Sequence, residues 1–177
     1  MPKGNGMIPK KIVDLLNYRI NQEELSSRLY QAMSEWLEYS GFLGAAKLWS
    51  SYASEENGHA NWAYDYLAQH DYLGEVGSLG EVKKEYESLV EIVYDSYKHE
   101  LEIAKQCNKL AEACRDECDY MTMNLALKYT KEQTEELGKL NQWVARLTAM
   151  GDNPKELRLL DDEMGRAADG GLAEKSY

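Results

Sequence analysis

Between Pro9 and Pro154 the chain has no proline. Proline removes an amide donor and clashes with the preceding turn, so so long a stretch without it leaves helices free to run almost end to end. Four segments carry the matching periodicity. Over residues 10–39 one face reads Leu16, Ile20, Glu23, Ser27, Tyr30, Ser34, Leu37, and over 43–71 it reads Ala45, Trp49, Tyr52, Glu56, His59, Ala63, Tyr66. Residues 89–115 give Val90, Val93, Tyr97, Glu100, Ala104, Cys107, Ala111, Cys114, and 119–149 give Ala126, Tyr129, Gln133, Glu136, Leu140, Trp143, Leu147. Steps of three and four put each set on one helical stripe, and such stripes bury against one another in a bundle.

The connections order the bundle. Gly41 and Gly44 mark a short turn, and residues 115–119 a second, so the helices on either side of each are antiparallel neighbours. Between Tyr72 and Glu87 the helical pattern lapses, with Gly74, Gly77 and Gly80 inside the gap. A link of about 16 residues reaches roughly 50 Å, whereas a helix of nearly 30 residues is only about 43 Å long. The link can therefore traverse the bundle and leave the second and third helices parallel. Ser88 followed by Glu91 is a capping box that starts the third helix. Asn153, Pro154 and Glu156 predict the start of a short fifth helix, with Gly165 after its end. Residues 1–8 read as a flexible N-terminus and 166–177 as a disordered tail, leaving 9–165 as one domain.

Composition narrows the function classes. A formal net charge of −11 argues against nucleic acid as a partner, because phosphate binding needs clustered Lys and Arg. The acid excess suits cation handling and plain solubility equally. No apolar run approaches the roughly 20 residues that span a bilayer, and Met1-Pro2-Lys3-Gly4-Asn5-Gly6 lacks the apolar core of a secretory signal. Cys107, Cys114 and Cys118 fit reduced thiols better than a disulfide framework or a zinc site. A cytoplasmic location is the expectation.

What stands out is the content of the stripes. Glu23, Glu56, His59, Glu100, Gln133 and Glu136 occupy positions that packing would make apolar. Burying one unpaired carboxylate is unfavourable, and burying several together adds repulsion. A multivalent cation offsets both costs. Glu56-x-x-His59 sets a carboxylate and an imidazole one turn apart on one face, and this mixed donor set suits iron, manganese or zinc better than calcium. Each motif alone has a plain alternative: a surface ExxH, a polar Glu100 beside His99, a solvated charged face at 131–136. Four mid-helix polar groups on facing stripes together point to a metal centre.

The stretches 16–23, 54–59, 97–100 and 131–136, reading LNYRINQE, SEENGH, YKHE and KEQTEE, resemble the bacterial-type non-haem ferritins, and the resemblance runs from about residue 8 to 165. It implies an all-α ferritin-like four-helix bundle with one long crossover and a short fifth C-terminal helix. It further implies iron storage with ferroxidase activity: Fe(II) oxidised to Fe(III) by O2 or hydrogen peroxide at an intrasubunit di-iron centre, then deposited as mineral inside a 24-subunit homo-oligomeric shell. Glu23, Glu56 and His59 would hold the first iron, with Glu56 bridging to a second held by Glu100 and Glu136. Gln133 would stand beside the second iron, and Tyr30 would be a hydrogen-bond partner and electron donor. Glu55, Glu132 and Glu135, with Glu136 shared, match the ligands of a third iron site.

Departures and rivals follow from the same residues. Where animal ferritins line a threefold channel with carboxylates, residues 121–126 read MTMNLA, so entry through the bundle wall is expected instead. Haem is not indicated, since no methionine among Met7, Met33, Met121, Met123, Met150 and Met164 is marked by its surroundings. The alternative is a non-storage di-iron enzyme on the same bundle, a rubrerythrin-like peroxidase. That family carries Glu-x-x-His on the fourth helix, where this chain has Gln133-x-x-Glu136, and a CxxC-type iron domain that this sequence lacks. A twelve-subunit miniature ferritin would build its site between subunits, and a non-catalytic bundle would lack these ligands.

Overall fold

The structure, a computed structural model, describes residues 4, 6–150 and 153–170. Among them five helices follow in order: α1 (Lys10–Tyr39), α2 (Leu43–Gln69), α3 (Leu89–Asp116), α4 (Tyr120–Met150) and α5 (Pro154–Ala168). None is long and apolar enough to cross a membrane.

Hydrogen bonds between helices fix their directions. Ser27 Oγ donates to the Ala53 carbonyl at 2.7 Å and Ser34 Oγ to the Ala46 carbonyl at 2.8 Å, so α1 and α2 are antiparallel. Tyr129 on α4 donates to the His59 carbonyl at 2.7 Å, while Trp143 Nε1 donates to Tyr52 at 3.3 Å, so α2 and α4 are antiparallel too. Trp49 Nε1, early in α2, donates to Ser96 Oγ, early in α3, at 2.9 Å. Helices α2 and α3 therefore run parallel, and the link between them crosses the bundle as its length allows. It lies along α1. Asn17 Oδ1 accepts from the Glu75 amide at 2.9 Å, Asn21 Nδ2 donates to the Ser78 carbonyl at 3.1 Å, and Tyr86 meets Trp36 edge to face at 6.0 Å.

Helix ends follow local chemistry. Ser88 Oγ accepts from the Glu91 amide at 3.1 Å, and Glu91 reaches back to the Glu87 amide at 2.6 Å, one residue beyond the usual reciprocal cap. Asn153 Oδ1 accepts from the Lys155 amide at 3.0 Å, and Pro154 takes the first helical position. Gly41 turns the chain at φ +85°, and Cys118 at φ 54° does so between α3 and α4.

Three sequence expectations are corrected. Gly44 is not part of the first turn; it lies inside α2, where a Cβ would come 1.9 Å from the Asp161 carbonyl oxygen of α5. Gly165 does not end α5, which continues to Ala168; this glycine meets Gly44 across the same contact. Close helix approach, not chain termination, is what both glycines supply. Asp161 Oδ1 also accepts from the Ala45 amide at 2.7 Å, so α5 caps the otherwise uncapped start of α2. The N-terminus, expected to be flexible through residue 8, is already anchored by Ile8, which is buried and whose carbonyl accepts from Tyr72 at 3.1 Å. Residues 166–168, expected in the disordered tail, are the last of α5, and residues 1–3, 5 and 171–177 of the two expected flexible ends lie outside the described residues.

The interior has three storeys. An apolar cluster around Met33, Leu37, Trp49, Ile92, Trp143 and Leu160 fills one end, and one around Ile12, Leu16, Leu67, Leu110 and Ala126 fills the other. Between them lies a waist where Glu23, Ser26, Ser27, Glu56, His59, Glu100 and Gln133 are all buried. The two apolar ends supply the burial energy that holds the helices together around it.

Gly44→Ala is expected to destabilise the protein by about 1–3 kcal/mol through overpacking at the α2–α5 contact. Denaturant unfolding would measure it, with limited proteolysis reporting release of α5; an unchanged midpoint and unchanged cleavage would contradict the assigned contact.

Candidate metal centre

Each helix delivers its part of the waist because its polar residue falls in the same stripe as its apolar ones. Glu23, Glu56, His59 and Glu100 are each less than a tenth exposed, and Gln133 is 5% exposed. Glu56, His59 and Glu23 bring one ligand atom each within 4.8 Å of one another; so do Glu56, Glu100 and Glu136, and so do His59, Glu132 and Glu136. Glu56 belongs to the first two groups and lies between them. His59 Nδ1 stands 3.1 Å from Glu56 Oε2 and 3.5 Å from Glu136 Oε1, while its Nε2 is 3.9 Å from Glu132 Oε1.

Surrounding donors orient these groups. The Tyr30 hydroxyl donates to Glu100 Oε1, and Gln133 Nε2 donates to Glu100 Oε2 at 2.6 Å and to the Glu100 carbonyl at 3.2 Å. Glu100 is thus held at both oxygens. Tyr30 also meets the Tyr52 ring at 6.1 Å, and Tyr52 meets Trp49 at 5.6 Å, so an aromatic group leads away from the waist. His59 packs against Trp62 at 4.7 Å, over which Lys128 Nζ sits at 3.5 Å.

The electrostatics record the crowding. Burial, then the charges of Glu136, Glu23 and Glu100, push the Glu56 carboxyl well above its ordinary range. Burial, followed by Glu100, Glu23 and Glu132, pushes Glu136 up to about 10, against a smaller opposing pull from Lys139. Burial and the nearby Glu100 raise the Tyr30 phenol further, so it remains a donor. Carboxyls in this state trade protons for a cation readily, and the oxygen-and-imidazole donor set fits iron, manganese or zinc. These are the residues to which a metal ion could bind.

The structure thus brings together Glu23, Tyr30, Glu56, His59, Glu100, Gln133 and Glu136. It treats the three outer acids differently. Glu132 joins His59 and Glu136, but Glu55 pairs with Lys139 at 3.2 Å and Glu135 lies 4.0 Å from Lys131. Of these three acids Glu132 alone comes within ligand distance of the inner groups, while Glu55 and Glu135 face lysines of α4. Three further residues border the site: Tyr52, which the sequence marks only as part of a packing stripe, and Lys139 and Arg19, which it does not mark at all. Tyr52 and Lys139 line a recess with Tyr30, Glu56, Glu100, Glu136 and Leu140. Arg19 is buried beside Glu23, and their spacing of four on one helix was the available signal.

Four long helices with one crossover, a docked fifth and a buried carboxylate waist define an all-α bundle of the ferritin-like class. Residues 13–150 match the ferritin-like domain. A probable bacterial non-heme ferritin-like protein of Haemophilus influenzae is 34% identical over 159 residues, 90% of this chain and 96% of that protein. A bacterial non-heme ferritin of Escherichia coli O6:H1 is 34% identical over 158 residues, covering 89% of this chain and 96% of that one. Among solved structures, an open pore ferritin from the hyperthermophilic archaeon Archaeoglobus fulgidus superposes with a TM-score of 0.87 at 28% identity, covering 89% of this chain and 97% of that chain. The chain belongs to the ferritin family.

The raised carboxyls give a pH dependence with a definite sign. Folded, Glu56 and Glu136 keep protons that the unfolded chain releases near its ordinary 4.5, so their contribution to stability is whole below that pH. It is lost as the pH rises toward about 10, the value for Glu136. Metal-free protein is expected to melt at progressively lower temperature between pH 5 and pH 9, on the order of the linkage slope. Zn(II) should release protons on binding, measured by calorimetry in two buffers of different ionisation enthalpy; zero proton release at pH 7 would count against the protonated waist.

Proposed function

We propose that the chain is an iron-storage subunit with ferroxidase activity, working at an intrasubunit di-iron centre inside a shell of 24 copies. The observation that carries this reading is the shared Glu56, buried between the Glu23–His59 side and the Glu100–Glu136 side of one waist. A single carboxylate reached from both groups is what two adjacent cations need as a bridge. Family membership supports iron as the substrate, and the bacterial non-heme ferritins among its relatives support storage.

In this reading Glu23, Glu56 and His59 receive one Fe(II), and Glu56, Glu100 and Glu136 the other. Entry displaces the protons held by Glu56 and Glu136, so their departure offsets about half of the positive charge that two Fe(II) ions bring. Each Fe(II) gives up one electron; the pair reduces O2 with two protons to hydrogen peroxide, or hydrogen peroxide with two protons to two waters. Gln133 and Tyr30 keep Glu100 aimed at the second position. Tyr30, with Tyr52 and Trp49 behind it, is placed to lend an electron to the oxidant ahead of one iron and to take it back from that Fe(II), which leaves the two-electron balance unchanged. Fe(III) leaves past Glu132, which shares His59 and Glu136 with the centre, and accumulates as mineral in the shell. Glu55 and Glu135 assist this passage once their lysine partners yield. The narrow recess that Tyr52 and Lys139 line with Glu56, Glu100 and Glu136 marks where iron would enter through the bundle wall in this reading, once side chains move aside. The location in this reading is the cytoplasm. Nothing in the site favours the peroxidase alternative, whose fourth-helix histidine position holds Glu136.

Aerobic addition of Fe(II), followed by ferric absorbance, tests the reading. Glu56→Ala should slow the first phase by about two orders of magnitude, comparable to losing a metal-positioning group; an unchanged rate would remove the catalytic assignment. Tyr30→Phe should retain binding and slow turnover several-fold. Light scattering after gel filtration should give a mass near that of a 24-copy shell, and a dimer would refute the storage part.

A further inference from the structure

One cation is buried against the waist and belongs to neither group of proposed ligands. Arg19 is 1% exposed on α1, one turn before Glu23. Its Nε donates to Glu23 Oε1 at 2.7 Å, and its Nη1 donates to Gln106 Oε1 on α3 at 2.9 Å. The Tyr129 ring of α4 lies 5.9 Å from the guanidinium carbon, and Nη2 is buried without a hydrogen-bond partner. Burying a guanidinium with an unmet donor is costly, and an apolar residue between Leu16 and Ile20 would pack at less cost. Packing alone therefore does not account for Arg19.

We propose that Arg19 is a positioning residue for the first iron, holding Glu23 to single-oxygen ligation and easing the departure of the ferric product. With Oε1 engaged by Arg19, Glu23 has one oxygen left to offer toward His59 and Glu56. Arginine stays charged at any physiological pH, so its charge offsets one of the two carboxylates there. Repulsion between Arg19 and a bound ion grows with the charge of that ion. It therefore weighs more on Fe(III) than on Fe(II), and it lessens the preference for Fe(III) that Glu23 and Glu56 confer. A centre that must pass iron onward needs this bias, whereas one that keeps its metal does not. The inference rests on the ferroxidase reading above.

Two substitutions in the full-length protein separate charge from geometry. Arg19→Gln keeps an amide donor near Glu23 and removes the charge; Arg19→Lys keeps the charge and loses the planar fork. Zn(II) titration calorimetry and repeated Fe(II) additions in air are the readouts. Arg19→Gln should bind Zn(II) at the tighter site about tenfold more strongly, as expected for removing one nearby unit charge. Its second Fe(II) addition should be oxidised about fivefold more slowly than its first, a lag larger than that of the wild type. Arg19→Lys should restore wild-type Zn(II) affinity and shorten the lag. Unchanged or weaker Zn(II) binding in Arg19→Gln overturns the proposal, as does tightening that Arg19→Lys reproduces. If Arg19→Gln does not fold, Gln106→Glu places a neutralising carboxylate against Nη1 and should tighten Zn(II) similarly; no tightening there overturns the proposal too. Glu56→Ala distinguishes the two levels: if it binds Zn(II) and oxidises iron like the wild type, the ferroxidase reading itself fails. If Glu56→Ala is defective while Arg19→Gln is unaltered, only the role of Arg19 is lost.

Discussion

The electrostatic cost of the waist governs this molecule. Four helices each place a polar side chain at mid-length, and the bundle closes so that Glu23, Glu56 and Glu100 are all less than a tenth exposed. Carboxylates so close and so dry repel one another, and the chain answers by keeping protons on Glu56 and Glu136. That is a poor arrangement for stability and a good one for taking up a cation. The apolar storeys above and below have to outweigh it.

Helices make suitable walls for such a site because a stripe of fixed period can hold rigid apolar packing and an exact polar register at once. Glu100 shows how little is left to chance, with Tyr30 from α1 and Gln133 from α4 each taking one of its oxygens. Glu23 is held by Arg19, while the His59 backbone is tied to Tyr129. By contrast Glu135 and Glu55 sit at the rim facing lysines, while Glu132 approaches His59 there. The inner set is held by hydrogen bonds on several sides, whereas the outer set is more exposed and more loosely paired.

Much of this was legible in the chain. Helix boundaries followed from the absence of proline between Pro9 and Pro154, the Ser88 cap and the Asn153-Pro154 start. The crossover was allowed by the length of the link, and the Trp49–Ser96 hydrogen bond bears it out. The six inner residues stood out because acids on an apolar stripe have no packing reason to be there. The glycines misled. Gly165 and Gly44 read as punctuation from their neighbours in sequence, yet they face each other where α5 lies against α2. A tight helix contact and a turn use the same residue, and only the partner surface separates the two uses.

The sequence by itself determined the helices, their order and which polar groups share the interior stripes, because these depend on spacing within one element. Tertiary structure decided the pairings. It set Glu56 between two groups, drew Glu132 toward His59, sent Glu55 to Lys139, and buried Arg19 against Glu23 with Gln106 and Tyr129 around it. Those outcomes depend on rotation and approach between helices, to which a stripe pattern is blind at the level of a few ångströms. The waist was written in the chain; its division into a fixed centre and a yielding rim was settled by packing.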